Sequence, residues 1–295
     1  MKIGAFDVHE PLPDLREVHV ISLLLPWLDA GSVGSLALST LERYFDAKEL
    51  GKLSTTGAFF DFTRYRPTVY SVEGRRLTTI PNSHIYYAHT EDGPDLLFLH
   101  MLEPHAGGEE YIESIVQVLS SFNVKRYCRV GGVYSSVPHT RPLRVMASPG
   151  AEQMDELKGL VLPRRSSSYQ GSTSIMGLVG EELENMGVET LSLMVQLPQY
   201  LETEEDYSGT ARLLEVICAL YHLPTFQEDA GRGRQQYKEL TAEMEGDPEI
   251  QDLVKLLEAD YDARGESPSE EVSQTPLPPQ VDQFLQEMNR RLEER

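Results

Sequence analysis

Apolar runs of strand length recur along the first three-quarters of the chain, each followed by polar or glycine-rich residues. Residues 18–25 are nearly continuous in Val, Ile and Leu, the pattern of a strand covered on both faces. Residues 95–101 contain another such run, and residues 124–130, 143–147 and 189–196 read as further core strands. Between the runs the apolar period lengthens to that of a helix. Leu36, Leu38, Leu41 and Tyr44 share one face, as do Tyr111, Ile112, Ile115, Val116, Leu119 and Phe122. Residues 175–186 keep the same period, with Ser172 or Thr173 as N-cap, and Ala211, Leu214, Ile217, Cys218 and Tyr221 define a later helix. The order strand, turn, helix therefore repeats, and residues 95–130 form a complete βαβ unit, which winds right-handed in nearly all known sheets. This is the pattern of an α/β fold.

Other stretches break the period. Residues 53–60, 67–72, 76–81 and 85–89 are short, β-branched and aromatic, separated by Gly, Pro and charge, and read as a meander of antiparallel strands. Residues 1–16 read as an extended lead-in with one edge strand. Beyond residue 225 the composition shifts: residues 226–295 hold 18 Asp and Glu against 8 Lys and Arg. Residues 235–245 and 248–261 have helical spacing, 265–279 is a Ser-, Pro- and Glu-rich linker, and Val281, Phe284, Leu285, Met288 and Leu292 line a terminal helix. That stripe is under two heptads and has to pack on the body or on another subunit. The expected organisation is a core domain over 1–224 and an acidic helical appendage over 225–295.

Charge narrows the partners. A formal net charge of -21 argues against nucleic acid and anionic membranes, whose surfaces repel it. No apolar run reaches the roughly 18 residues of a membrane helix, and the amino terminus lacks the basic-then-apolar order of a signal peptide. Two cysteines, Cys128 and Cys218, each in apolar surroundings, suit free thiols in a reducing cytoplasm. Neither has a ligand neighbour at zinc spacing, so neither a metal nor a cofactor is expected.

The candidate chemistry centres on residues 124–148, where Gly131 and Gly132 occupy the expected strand-end turn and Pro138 and Pro142 bracket His139, Thr140 and Arg141. Three loops leave carboxyl ends of expected core strands, carrying Asp29 with Gly31, Glu103 with His105, and His139 with Arg141. If they share one crevice, Arg141 binds a phosphate and His139 or Glu103 moves a proton, a site for a nucleoside- or phosphate-handling hydrolase or a ligase. The alternative is structural: the polar groups cap strand ends, and Arg141 ties to Glu103 or Asp29. No Gly-x-Ser-x-Gly elbow, no His-Glu-x-x-His and no phosphate loop accompanies them. The segment 61–67, with Arg64, Tyr65 and Arg66, reads as a docking surface or as arginines paired with acidic neighbours; Arg164 and Arg165 sit in a serine-rich loop.

Taken in order, Pro26-Trp27-Leu28-Asp29-Ala30-Gly31, the segment 61–67, Glu103-Pro104, Val130-Gly131-Gly132, Val137-Pro138-His139-Thr140-Arg141-Pro142, Tyr169-Gln170-Gly171 and Pro198-Gln199-Tyr200-Leu201 resemble the signatures of the proteasome assembly chaperone 2 family, in its prokaryotic branch. The resemblance implies a three-layer α/β/α fold with a mixed central sheet, similar to the nucleoside phosphorylase and hydrolase-like architecture. It also implies homo-oligomers that bind proteasome-type or other protein subunits, without an established catalytic activity. A partner is then expected on Trp27, Asp29, Gly31, Arg64, Arg66, Gly131, Gly132, His139 and Arg141. Two departures stand out. The chain ends Leu292-Glu293-Glu294-Arg295 where some archaeal relatives carry a hydrophobic-tyrosine-any tripeptide, so docking by that route is not expected, and Pro26 replaces the usual glycine before the aromatic.

Overall fold

In a computed structural model the described residues are 1–72, 74–148, 151, 154–163 and 173–264. They form, in order, β1 (Lys2–Ile3), β2 (Phe6–Val8), β3 (His19–Leu25), α1 (Val33–Tyr44), β4 (Lys48–Leu53), β5 (Thr68–Val72), β6 (Arg75–Thr79), β7 (His84–Ala88), β8 (Leu96–Leu102) and α2 (Gly108–Ser121). There follow β9 (Arg126–Ser135), β10 (Val145–Ala147), β11 (Leu162–Pro163), α3 (Ile175–Asn185), β12 (Glu189–Pro198), α4 (Tyr207–Leu220), α5 (Gln227–Met244) and α6 (Pro248–Arg264). The fold is α/β, with a mixed central sheet flanked by helices. The expected motif Tyr169-Gln170-Gly171, the loop with Arg164 and Arg165, the 265–279 linker and the terminal helix lie outside the described residues.

Contacts divide the chain into two compact units. The first takes Met1–Asp29, Leu38–Val130 and Ser172–Leu191. Its strands run in the order β1-β2-β4-β7-β8-β3-β9. The continuous apolar runs are the parallel strands: β3 pairs in parallel with β8 and with the start of β9, and Val20, Ile21, Leu23, Leu24, Leu97 and Leu99 are fully buried. Tyr111, Ile115, Val118 and Leu119 of α2 join Ile175, Met176, Val179 and Leu183 of α3 in the cluster of buried side chains with these strands. At about 25 cal/mol per Å² of apolar surface removed from water, side chains of this size contribute roughly 1.5–3 kcal/mol each. The antiparallel strands β7, β4, β2 and β1 extend the sheet.

Three expectations change here. Residues 53–60 are not a strand: β4 lies at 48–53, and a 3-10 turn occupies Thr56–Ala58. The meander is not continuous either, because β5 and β6 pair only with each other, while β7 pairs with β4 and β8. The N-cap of α3 is Ser174, whose hydroxyl accepts from Gly177 N–H at 3.4 Å, rather than Ser172 or Thr173.

The second unit takes Ala30–Ala37, Gly131–Gly171 and Ser192–Arg295. Here β10 pairs antiparallel with β12 and parallel with β11, and Leu193, Val195, Leu197, Leu213, Leu214 and Ile217 are buried. β9 and β12 each run through the division, which falls after Val130 in one and after Leu191 in the other. The diglycine is the chief correction: Gly131 and Gly132 lie inside β9, which continues to Ser135, and make no turn. A Cβ on Gly132 would stand 2.8 Å from the Ala30 carbonyl oxygen, so the glycine serves close backbone approach within a strand. Helices α5 and α6 belong to this unit, and α5 starts at Gln227, earlier than its apolar period suggested. It packs on α4 where Gly233 allows it: a Cβ there would meet Ser208 Cα at 2.8 Å.

Candidate functional site

The first unit carries a cavity of about 800 Å³ where β3 and β8 end. The chain after β3 brings Trp27 to its rim, where the residue is 62 % exposed. After β8, Glu103 and His105 line it, and His105 and Ala106 N–H both donate to Phe59 carbonyl, at 2.8 and 3.2 Å. The segment 59–65 closes the opposite wall. Tyr65 hydroxyl donates to Glu103 carbonyl at 3.1 Å, its ring meets His105 edge-on at 4.6 Å and Phe60 at 5.7 Å. Asp61 N–H donates to His105 Nδ1 at 3.2 Å, which leaves the proton of a neutral imidazole on Nε2.

Electrostatics at this cavity are mild. Glu103 Oε1 accepts from Ile175 N–H at 3.3 Å, while Oε2 is buried with no hydrogen-bond partner among the described residues. Burial raises its carboxyl above the usual range, and the Ile175 bond opposes that. Burial likewise raises the Tyr65 phenol. Asp61 is held below the usual range by the backbone and hydroxyl of Thr63, at 2.8 Å each. Arg64 is exposed, 4.0 Å from Asp61, and Arg66 is exposed beside it.

In the second unit the proline-bracketed loop is tied to α5 and α6. His139 is buried; its Nε2 lies 3.0 Å from Thr241 Oγ1, whose proton goes to Tyr237 carbonyl at 2.6 Å, so Nε2–H donates. Tyr200 hydroxyl accepts from His139 backbone N–H at 2.9 Å and donates to Nδ1. Both ring nitrogens are thus satisfied in the neutral form, and burial pushes the imidazole below its ordinary pKa, with Glu258 opposing. Arg141 makes a bidentate pair with Asp262, Nε to Oδ1 at 2.9 Å and Nη2 to Oδ2 at 2.8 Å, and Nη1 donates to Glu258 Oε1 at 2.8 Å. Thr140 hydroxyl donates to the same Glu258 oxygen at 2.6 Å, and Tyr261 hydroxyl to Pro142 carbonyl at 2.8 Å. One face of α6 therefore clamps the loop, and Arg141 ties to neither Glu103 nor Asp29.

Within each unit the expected residues line a cavity of its own. Trp27, Arg64, Glu103 and His105 line the one above. His139 and Arg141 line another of about 740 Å³ in the second unit, with Arg212, Arg234 and Tyr237. Asp29 is half-buried on the loop after β3, and Gly31 (φ 58°) accepts Asp206 N–H at 2.7 Å. Sequence reasoning missed Asp206, which caps α4 by accepting from Gly209 N–H at 2.7 Å and accepts Tyr237 hydroxyl at 2.9 Å. It also missed Glu258 and Asp262, although their spacing of four on an expected helix is the signal of a shared face. Cys128 and Cys218 are free and buried, which pushes their thiols up to about 12 and about 11. Among the described residues no cluster of His, Cys, Asp and Glu is arranged to hold a metal, and no helix is long and apolar enough to cross a membrane.

The model of the PAC2 family matches residues 23–244. No curated protein sequence matches the chain. Among solved structures, a Corynebacterium glutamicum protein of unknown function superposes with a TM-score of 0.77 at 21% identity, covering 88% of this chain and 97% of the other. A Mycobacterium tuberculosis proteasome-assembly chaperone homologue gives 0.69 at 20% identity, covering 80% and 99%. The archaeal proteasome activator PbaB of Pyrococcus furiosus gives 0.63 at 19% identity, covering 83% and 100%. These likenesses establish the shared fold.

Proposed function

Because the chain belongs to the PAC2 family, we propose that it is a homo-oligomeric protein-binding module of the proteasome-assembly-chaperone type, which captures proteasome-type or other protein subunits. The observation that carries this reading is the Trp27 ring, mostly in solvent at the rim of a cavity walled by Phe59, Phe60 and Tyr65, with Arg64 beside it. Tryptophan, tyrosine and arginine around a pocket are the residues that dominate protein interfaces, and a solvated indole gains most from being covered. Arg66, Asp29 and Gly31 belong to the adjoining loops. His139 contributes as a positioning residue: its ring nitrogens are both engaged inside the second unit, and it holds the loop that α6 clamps. The same engagement weighs against a phosphate-handling site, since an anion at Arg141 has to displace both Asp262 and Glu258.

The test is capture of purified proteasome subunits by the wild type and by Trp27→Ala. An exposed hot-spot aromatic is worth about 2 kcal/mol or more, so capture should weaken by roughly thirtyfold while the thermal midpoint stays in place. Equal capture by the variant would remove Trp27 from the interface. Failure of the wild type to bind such subunits would remove them as the partner.

A further inference from the structure

One carboxylate of the first unit is only half served. Glu103 follows β8 and lines the cavity there. Its Oε1 accepts from the N–H of Ile175, the first residue of α3, while Oε2 is buried and has neither a hydrogen bond nor an ion pair among the described residues. A buried carboxylate oxygen without a donor is unfavourable until something supplies one. The other ionisable groups of the wall do not. Asp61 is engaged by Thr63 and has Arg64 at 4.0 Å, so those two charges cancel. His105 accepts from Asp61 N–H through Nδ1 and so brings no charge. The lining therefore carries one net negative charge, and it sits on Glu103.

Much of the remaining wall is aromatic: Trp27 at the rim, with Phe59, Phe60 and Tyr65. Tyr65 is the ring nearest the charge, since its hydroxyl donates to the Glu103 carbonyl at 3.1 Å and the carboxylate adds to burial in raising its phenol. A carboxylate among aromatic rings selects one kind of group. Anions are repelled, and a carbonyl has no proton to give. A hydroxyl or an amide supplies the proton but leaves the charge unbalanced. An alkylammonium supplies both, and its charge and its methylene stem each gain from aromatic surface. Oε2 is out of contact with solvent, but the terminal torsion of a glutamate is soft, so the carboxyl turns toward an entering donor within one rotamer.

We propose that this cavity is a receptor site for one alkylammonium group, held by Glu103 and covered by Trp27 and Tyr65. At about 800 Å³ it has the volume of a small-molecule site, so the ammonium arrives on a free amine or as the lysine side chain of a captured protein. The proposal deepens the reading above by naming the group taken at Trp27, and the two fail separately.

Trp27 is the sole tryptophan of the chain, so fluorescence of the full-length protein reports on the cavity directly. The probes are n-butylammonium, its neutral counterpart 1-butanol, and an end-blocked Gly-Gly-Lys-Gly-Gly peptide, at a constant ionic strength of about 0.15 M. The wild type should respond to butylammonium saturably and bind butanol at least about tenfold more weakly, a comparison that needs no variant. Glu103→Gln keeps an acceptor for Ile175 N–H and should bind butylammonium at least about tenfold more weakly, with an unchanged circular dichroism spectrum. Tighter binding of the peptide than of butylammonium would support a protein lysine as the source, and the reverse order a free amine. Equal binding of butylammonium and butanol, no saturable response to any probe, or undiminished binding by a folded Glu103→Gln would overturn the proposal. Should capture of proteasome subunits still depend on Trp27 in that event, the reading above stands without the ammonium site. Amine binding by a wild type that captures no such subunit would support the site and remove that partner.

Discussion

Asp206 offers a quantitative test of how the second unit is held together. Its carboxylate is 2 % exposed and serves two donors, the Gly209 N–H at the start of α4 and the Tyr237 hydroxyl from α5. Replacement by alanine removes an N-cap, at about 1 kcal/mol, and strands a buried phenol, at about 1–3 kcal/mol, for a total of about 2–4 kcal/mol. Asparagine caps helices as well as aspartate, and its amide can donate to the Tyr237 oxygen, so Asp206→Asn should cost under about 1 kcal/mol. The two variants also separate by pH. Burial raises the Asp206 carboxyl above its ordinary value, so the folded chain holds a proton that the unfolded chain has lost. The wild type therefore loses stability from this group as pH rises from the usual carboxylate range through the raised folded value, and the asparagine variant lacks that decline. Urea unfolding followed by circular dichroism measures both effects, and a thermal scan should show the alanine midpoint lower by on the order of 10 °C. Equal losses for alanine and asparagine, or fully additive costs for Asp206→Ala and Tyr237→Phe, would refute the account.

Two further outcomes follow from positions described above. His139 is depressed below its ordinary pKa by burial, so its contribution to stability is complete above the unfolded value near 6.5 and is lost as pH falls from there toward the folded value. Unfolding midpoints of the wild type and His139→Gln measured across that window should converge as the pH drops; parallel curves would show that the imidazole is not held neutral. Gly132→Ala drives a methyl to 2.8 Å from the Ala30 carbonyl and should cost about 1–3 kcal/mol in urea, whereas an unchanged midpoint would mean that the strand shifts freely.

The sequence announces its buried parallel strands because they are apolar on both faces, and β3, β8, the first half of β9 and the helices α2, α3 and α4 lie where their patterns place them. β4 escapes detection because Lys48, Glu49, Gly51 and Lys52 interrupt its alternation, and the register shifts between Glu49 and Gly51. Gly131 and Gly132 mislead for a related reason: glycine signals both a turn and a close approach, and only the partner, Ala30, tells them apart. For the candidate site, the local pieces were readable. Trp27, Arg64, Tyr65, Glu103 and His105 come from strand-end loops and gather at one cavity. The environment of Arg141 was not, since its carboxylates arrive 117 and 121 residues later in the chain, and no local pattern fixes which helix will cover which loop.

The interleaved division of the chain also sets an order of events during synthesis. The first unit has its last segment once Leu191 has emerged, but residues 30–37 and 131–171 belong to the second unit, which needs residues 192–264 as well. At about 5–20 residues per second, those early segments wait on the order of 4–15 s on a ribosome-bound chain whose first half has all its parts. During that interval the second half of β9 lacks its neighbouring strand β12. A nascent chain paused near residue 191 therefore carries strand β9 with one edge still unpaired, and a longer pause lengthens the exposure of that edge to other chains.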